Sequence, residues 1–372
     1  MLDLGIRLQL MIGSTKPAPA PYEVVDALRE VEVRNNDSER DGFSLTFTLG
    51  RRGAQQDFPL LKNGQLDPPA RVTIIVFLQA MPAVLINGMI TRHQVVPSTQ
   101  AGQSVLKVIG EDTSLQMDRK RKKATFRNLS DQGVVKKILE AYPDLRPDTA
   151  ATNETPPETE RITSQQDTDL AFINKLAQRN GFRFYTEATA IPGVSTAYWG
   201  PRDRSGLSVQ RALTINMGPQ DNVTQLSFGY DALAAVTPEG VISDPVTKQS
   251  IPISPPSPLE SQLSSQPEMP LRTTSLDDTA GLNPIQAILH MLTSASSAAS
   301  AASGSGQLDT VRYGAVLRSR QKVEVRGAGK SQDGEYYVSQ VTHQIRPGQY
   351  KQLFNLLREG RGATSSRVKG AE

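Results

Sequence analysis

Gly329-Lys330-Ser331 has the residue types that end a phosphate-binding loop. In such a loop a glycine stands five residues before the first of the three, a strand leads in and a helix follows, so that backbone N–H groups converge on phosphate oxygens. Here that position is Glu324, and Gln332-Asp333-Gly334 after the motif reads as a turn into a strand. The spacing therefore predicts a solvated hairpin loop. Arg119-Lys120-Arg121-Lys122-Lys123 is the densest charge run and could hold phosphates of any sequence. No aromatic residue is interleaved to stack on bases, so the run reads as a solvated connector. His93, His290 and His343 stand on separate segments, none with a second metal ligand or a nucleophile at a useful spacing. Asp167 and Asp169 suit a helix start better than a general acid and base. The absence of cysteine excludes a disulfide framework, a thiolate metal site and a cysteine nucleophile. No catalytic, cofactor-binding or metal-binding residue is assigned.

The 372 residues carry 41 Lys+Arg against 38 Asp+Glu, and a net charge of +3 is too small to argue for a polyanion partner. A hydrophobic fraction of 37% suits a soluble chain of two or three domains. The apolar run Leu8 to Ile12 is broken by Gln9 and far too short for a bilayer span, and no small-residue cleavage site follows a charged start. Neither a signal peptide nor a transmembrane segment is expected.

Strands separated by turns dominate the first 110 residues. Ser44 to Leu49 alternates apolar and hydroxyl residues with period two, as a half-buried strand does. Arg71 to Leu78 is β-branched on both faces, Ala83 to Ile86 leads into Asn87-Gly88, a hairpin-type pair, and Ser104 to Ile109 supplies another strand. Pro17, Pro19 and Pro21 cannot join a central sheet. Ser130 can cap a helix carrying Val134, Val135, Ile138, Leu139 and Tyr142, stopped by Pro143. Asp148 to Glu160 is polar, with little to bury. Asp167 is the expected cap of a second helix with Leu170, Ile173, Leu176 and Ala177 on one face, Asn180-Gly181 as its end and Phe182 to Tyr185 as the next strand.

Strand signals return from Leu207 to Tyr230 and are then interrupted by 231–307, rich in proline and serine and including the tract Ser294 to Ser303. Most of this segment is expected to be weakly ordered. An exception is Pro284 to Leu292, whose stripe of Ile285, Ile288, Leu289 and Leu292 is a candidate docking helix. Gln321 to Arg326 and Tyr336 to Ile345 resume the strands, and Arg346-Pro347-Gly348-Gln349 predicts a type II turn into Tyr350 to Arg358. No fixed-period repeat is visible at the residue level. The expected fold class is α+β, mainly β. The expected parts are a first β-barrel domain (1–115), an α+β domain (116–200), a discontinuous second β-barrel (201–230 and 308–360), the 231–307 insertion and a polar tail (361–372).

Three stretches together resemble the hub family of contractile injection machines, which includes phage late-control D proteins, the phage baseplate hub and the N-terminal part of the type VI secretion spike protein VgrG. The first joins Leu85-Ile86-Asn87-Gly88-Met89-Ile90-Thr91 and Lys107-Val108-Ile109-Gly110 to Phe126-Arg127-Asn128-Leu129-Ser130 and Val134 to Tyr142. The second runs from Gln166 to Ala177 and into Asn180-Gly181-Phe182. The third is Gly334-Glu335-Tyr336-Tyr337-Val338 with Val341, His343, Gly348, Tyr350, Phe354 and Arg358. The resemblance implies two tube-like β-barrels per chain and a homotrimeric, pseudo-sixfold ring that adapts a sixfold tail tube to a threefold spike. It implies a non-enzymatic baseplate component assembled in the cytoplasm into a virion or phage-tail-like particle. Its partners would be a tail tube protein, other baseplate proteins and a spike. No shaft follows residue 360, so that spike is expected on a separate chain. No cofactor or small-molecule substrate is implied. Two other readings remain open at this point: a particle-associated cell-wall hydrolase, and a β-rich protein contacting nucleic acid through 119–123.

Overall fold

The computed structural model describes residues 5–50, 58–62, 64–100, 102–152, 155, 162–201, 206–243, 250–253, 262–267, 269–275 and 300–363. The first half supplies β1 (Ile6–Gly13), β2 (Ala18–Pro19), helix α1 (Tyr22–Ala27), β3 (Leu28–Asn36), β4 (Gly42–Thr48), β5 (Arg71–Leu78), β6 (Met81–Val96) and β7 (Val105–Asp112). Their sheet order is β3-β4-β7-β6-β5-β1-β2. The period-two reading of β4 holds: Phe43, Leu45 and Phe47 are buried while Ser44, Thr46 and Thr48 are half-buried. β5 is covered on both faces.

Asn87-Gly88 does not turn the chain. It lies inside the 16-residue β6, and the reversal from β5 comes at Gln79-Ala80, with Leu78 paired to Met81 and φ of 49° and 67°. Positive φ at both central residues gives a type I′ loop, for which Gln-Ala is an unusual choice. Asn87 instead holds a neighbouring loop: its Oδ1 accepts from Thr73 Oγ1 (2.7 Å) and Gly193 N (2.9 Å), and its Nδ2 donates to Val194 O (2.9 Å). Gly88 is small because a Cβ there would meet Glu111 O at 2.4 Å.

The middle segment builds β8 (Ala124–Phe126), α2 (Asp131–Leu139), β9 (Leu145–Thr149), β10 (Thr163–Gln165), α3 (Asp169–Arg179), β11 (Phe182–Ala188) and β12 (Ser195–Pro201). The Ser130 hydroxyl caps α2 by accepting from Gly133 N at 3.1 Å. The cap of α3 is Thr168 rather than Asp167, its Oγ1 accepting from Ala171 N at 3.2 Å. Gly181, at φ 67°, ends it as expected. Trp199 is fully buried, edge-on to Phe182, in a core that joins both helices to β11 and β12.

The last part holds β13 (Val209–Thr214), β14 (Val223–Tyr230), β15 (Val236–Ser243), β16 (Ser250–Ile253), β17 (Ser264–Pro267), β18 (Arg272–Ser275), β19 (Ala302–Asp309), β20 (Lys322–Arg326), β21 (Gly334–Arg346), β22 (Gln349–Arg358) and β23 (Gly360–Ala363). Residues 231–307 thus hold strands that the composition concealed: β15 pairs with β16 and β18, β17 with β23, and β19 lies between β14 and β22. The start of the presumed polar tail likewise forms part of β23. The Pro284 to Leu292 helix, His290 and the tract up to residue 299 lie outside the described residues, as do 364–372.

The strands of this last part are ordered β14-β19-β22-β21-β20-β13, which repeats β3-β4-β7-β6-β5-β1 strand for strand in chain order. A short helix sits at the matching place in each, Pro59–Lys62 and Thr310–Tyr313. One difference is that β13 runs parallel to β20 whereas β1 is antiparallel to β5. The half-sheets join edge to edge where β21 pairs with β3, Gln340 opposite Asn36 through Ile345 opposite Val31. The result is mainly β, with one large sheet, short helices and three clusters of buried apolar residues among the described residues. None of the described helices is long and apolar enough to cross a membrane.

Close packing within the first half sets a test. A Cβ at Gly110 would fall 2.3 Å from the Phe43 ring and 2.4 Å from Met89 O, whereas one at Gly50 meets nothing within 4 Å. Gly110→Ala is expected to cost about 1–3 kcal/mol in denaturant unfolding, and Gly50→Ala less than about 0.5 kcal/mol.

Candidate functional site

The connection Asp37 to Asp41 between β3 and β4 is where the two half-sheets and the middle segment meet. Asp41, buried, accepts four hydrogen bonds: from Asn35 Nδ2 (2.9 Å), Asn36 N (2.8 Å), Arg320 Nη1 (3.1 Å) and Arg320 Nη2 (2.8 Å). Arg320 also donates to Asn36 O at 2.5 Å and lies over the Tyr185 ring from β11, 4.4 Å from its centroid. Burial works against its charge, but Asp41 more than restores it, and the guanidinium holds its proton more tightly than in water. Asp37 accepts from Arg183 Nη1 of β11 (2.6 Å) and from the Tyr337 hydroxyl of β21 (2.7 Å). Behind Asp41 sits Asp112, whose Oδ2 accepts from Asp41 N at 2.9 Å. Burial, then the Asp41 charge, pushes its carboxyl up.

The same network continues through the β3·β21 seam. Asn35 Oδ1 accepts from His343 Nε2 (3.2 Å), while His343 Nδ1 accepts from the Tyr350 hydroxyl (2.7 Å) and from Gln352 Nε2 (3.2 Å). These partners require the neutral tautomer with its proton on Nε2. Gln352 is also tied to the Leu317 backbone: its Oε1 accepts from Leu317 N at 3.0 Å and its Nε2 donates to Leu317 O at 2.9 Å. A buried polar chain therefore runs Gln352–His343–Asn35–Asp41–Arg320, from one half-sheet into the other and back. Arg318 adds a further tie, its Nη1 donating to Val84 O at 2.7 Å.

The candidates weighed from sequence fall elsewhere. Lys330 is exposed on the β20–β21 loop, where Asp333 Oδ1 accepts from Ala328 N at 2.8 Å and Arg358 donates to the carbonyls of Ser331 (2.9 Å) and Asp333 (3.0 Å). A strand follows this loop and two of its carbonyls are held from within, so the hairpin reading is the observed one. Arg121 pairs with Asp167 at 2.8 Å, and Lys122 pairs with the buried Asp169, which also accepts from Tyr142 and Gln165. Asp169 thus anchors the start of α3 and is not paired with Asp167 for proton transfer. His93 lies 3.5 Å from Asp67. Among the described residues no group of three or more His, Asp or Glu could hold a metal ion. Sequence reasoning counted His343 as structural but had no signal for Asp41 or Arg320, whose partners lie 279 positions apart.

The described surroundings of Asp37 and Asp41 are thus a structural junction. A family model described as the Alg8 N-terminal domain matches residues 45–197. No curated protein matches the chain in sequence. Among solved structures, the 43 kDa tail protein of prophage MuSo2 from Shewanella oneidensis is similar at 10% identity and a TM-score of 0.63, over 95% of this chain and 99% of that one. A tail protein from Neisseria meningitidis MC58 is similar at 10% identity and a TM-score of 0.62, over 95% and 97%. An Escherichia coli component of the type VI secretion system, itself similar to the phage T4 tail proteins gp27 and gp5, matches at 17% identity and a TM-score of 0.53, over 98% and 79%. The chain has the fold of these tail proteins over nearly its whole length.

Two tests follow from the junction. Arg320→Met leaves Asp41 buried with two of its donors gone, and an uncompensated buried carboxylate is expected to cost about 3–5 kcal/mol in urea unfolding. His343 provides the other. Burial, with the nearby Arg318 charge, lowers it from 6.5 to about 3. Between those values the unfolded chain takes up a proton that the folded one refuses, so stability should fall as pH drops below about 6.5, by up to ~1.4 kcal/mol per unit. His343→Gln should flatten that slope in unfolding curves recorded from about pH 7 to about pH 4.

Proposed function

We propose that this chain is a non-enzymatic structural component of the hub of a phage tail or phage-tail-like injection particle. Three copies would form a ring in which each contributes two tube-like β-barrel units, matching a sixfold tail tube on one face and a threefold spike on the other. The observation that carries the reading is the duplicated six-strand order, because one chain that presents the same unit twice can meet six equivalent subunits with three copies. Likeness in fold to prophage tail proteins and to a type VI secretion component supports the setting. The buried clusters support a division near residues 115 and 200 into first unit, α+β segment and second unit, the first cluster also taking in Ile345 and Tyr350 across the seam.

The junction fits this role. A part that adapts one symmetry to another must hold its two units at one fixed angle, and a buried polar network in which both Asp41 oxygens and both His343 ring nitrogens are hydrogen-bonded tolerates few alternative arrangements. Tube, spike and other baseplate proteins would be the partners, with the Pro17 to Pro21 segment that holds β2 and the Gly327 to Gly334 loop as tube-side contacts.

Electron cryo-microscopy of particles carrying the chain is the direct test. The expected map has three copies with six similar sheets around one axis. Six copies, or a ring to which each chain gives only one half-sheet, would overturn the reading.

A further inference from the structure

Asp112 closes β7, leads into the middle segment and is only 5% exposed. Its carboxyl serves both sides of that boundary. Oδ2 accepts from Asp41 N at 2.9 Å, and Oδ1 accepts from Ser114 N at 2.7 Å to cap the 3₁₀ turn Thr113–Asp118. Both donors are neutral backbone groups. A buried carboxylate ordinarily has a cation bonded to it, or it takes up a proton instead.

The charged groups around Asp112 leave it no cation of its own. The connection from β19 to β20 brings Arg320, whose Nη1 and Nη2 are bonded to Asp41 at 3.1 and 2.8 Å. The β3–β4 connection brings Asp41 itself and Arg40. The Arg40 charge reaches Asp112, but its guanidinium is bonded to Glu111 and, at 2.8 Å, to Asp118. β11 brings the exposed Glu187 and Arg183, the latter bonded to Asp37 at 2.6 Å. β6 presents Gly88 opposite. Among the described buried carboxyls of the junction, Asp37 and Asp41 each have a bonded guanidinium and Asp112 has none.

A second observation concerns Thr186 on β11. It is 3% exposed and within reach of the Asp112 carboxyl, yet its Oγ1 completes no hydrogen bond of good geometry among the described residues. A neutral acid needs an acceptor for its proton, and a buried hydroxyl oxygen without a partner supplies one. Burial and then the Asp41 charge favour the same state, against the bonds from Ser114.

We propose that the folded chain carries Asp112 as a neutral carboxylic acid donating to Thr186 Oγ1, and that this proton makes the junction sensitive to rising pH. When the O–H bond breaks, the proton passes to water and a second negative charge is left beside Asp41. In the unfolded chain the proton leaves near the ordinary value of 3.8. The contribution to stability is therefore whole below that value and is lost as pH rises through the higher, folded one. His343 contributes with the opposite sign, so the Asp112 part is read as a difference between variants.

Full-length wild-type and Asp112→Asn chains are unfolded in urea at a series of pH values from about 4 to about 9. The unfolding constant of the wild type relative to the variant is expected to rise with pH, by up to about tenfold per unit, and then to level off. A ratio that is flat, or that falls as pH rises, would overturn the proposal. Infrared spectra of the folded chain give a second measurement that needs no stable Asp112 variant. They are expected to show a protonated-carboxyl carbonyl band that persists above about pH 5, where ordinary carboxyls are ionised, and titrates away in alkali. Thr186→Val removes the acceptor and should move the loss of that band to lower pH. A missing band, or a shift to higher pH, would mean that the hydroxyl donates to a charged carboxylate and would overturn the assignment.

Discussion

The carboxylate of Asp41 is the point on which the placement of the described segments depends. It is nearly inaccessible and accepts four donors, two from Arg320, so each of its oxygens is served twice. Burying such a pair has a desolvation cost that its attraction offsets only when the geometry is good and the remaining lone pairs are used, and removing one partner leaves the other as an uncompensated buried charge. Rotating one half-sheet against the other would break the Arg320 bonds and also the His343 to Asn35 bond in the same movement. The arrangement is therefore close to all or none. Asp37, four residues earlier, extends the constraint to the middle segment through Arg183 and to β21 through Tyr337.

The duplicated strand order shows why such a lock sits in only one of two equivalent places. In the first half the β3–β4 connection is five residues long and folds inward to present Asp37 and Asp41. In the second half the equivalent connection, from β14 to β19, runs from Asp231 to Ala301 and carries the small sheet of β15, β16 and β18. One position closes a seam inside the chain, while the other has been opened to additional structure. The first connection stays short because Asp41 has to reach both Arg320 and the backbone of Asn36.

Local features were legible in the sequence, and features that depend on distant partners were not. The alternation of Leu45, Phe47 and Leu49, the Ser130 cap and the glycine after α3 are each written within a few residues, and each is found. Asn87-Gly88 misled because the dipeptide that suits a turn also suits an amide clamp beside a close backbone approach. The duplication is hidden for a related reason. Phe43 fills the space over Gly110 in the first half, whereas in the second the small residue is Gly304 and the large one Leu356 across the same pair of strands. Gly306 likewise lies under Phe354, where Leu45 faces Val108. The summed volume is kept while its members change strands, so strand order repeats and residue pattern does not.

The continuity of the sheet bears on what the protein can do mechanically. Six residue pairs join β3 to β21, and the row Ser227, Ser305, Asn355, Gln340 and Asn36 crosses from the outer strand of one half to the first strand of the other. Along that row Ser227 bonds Ser305 at 2.8 Å and Asn36 bonds Gln340 at 3.2 Å. A hinge between the halves would have to break backbone pairs and side-chain pairs together. No glycine or proline lies in the paired stretches Val31 to Asn36 and Gln340 to Ile345 to absorb the change. The middle segment is fastened to the first half separately, by Arg71 to Asp144 at 2.7 Å and by the Asn87 clamp, at some remove in sequence from Asp37. Two such attachments oppose rotation about either one. The two half-sheets and the middle segment therefore respond to load as one body.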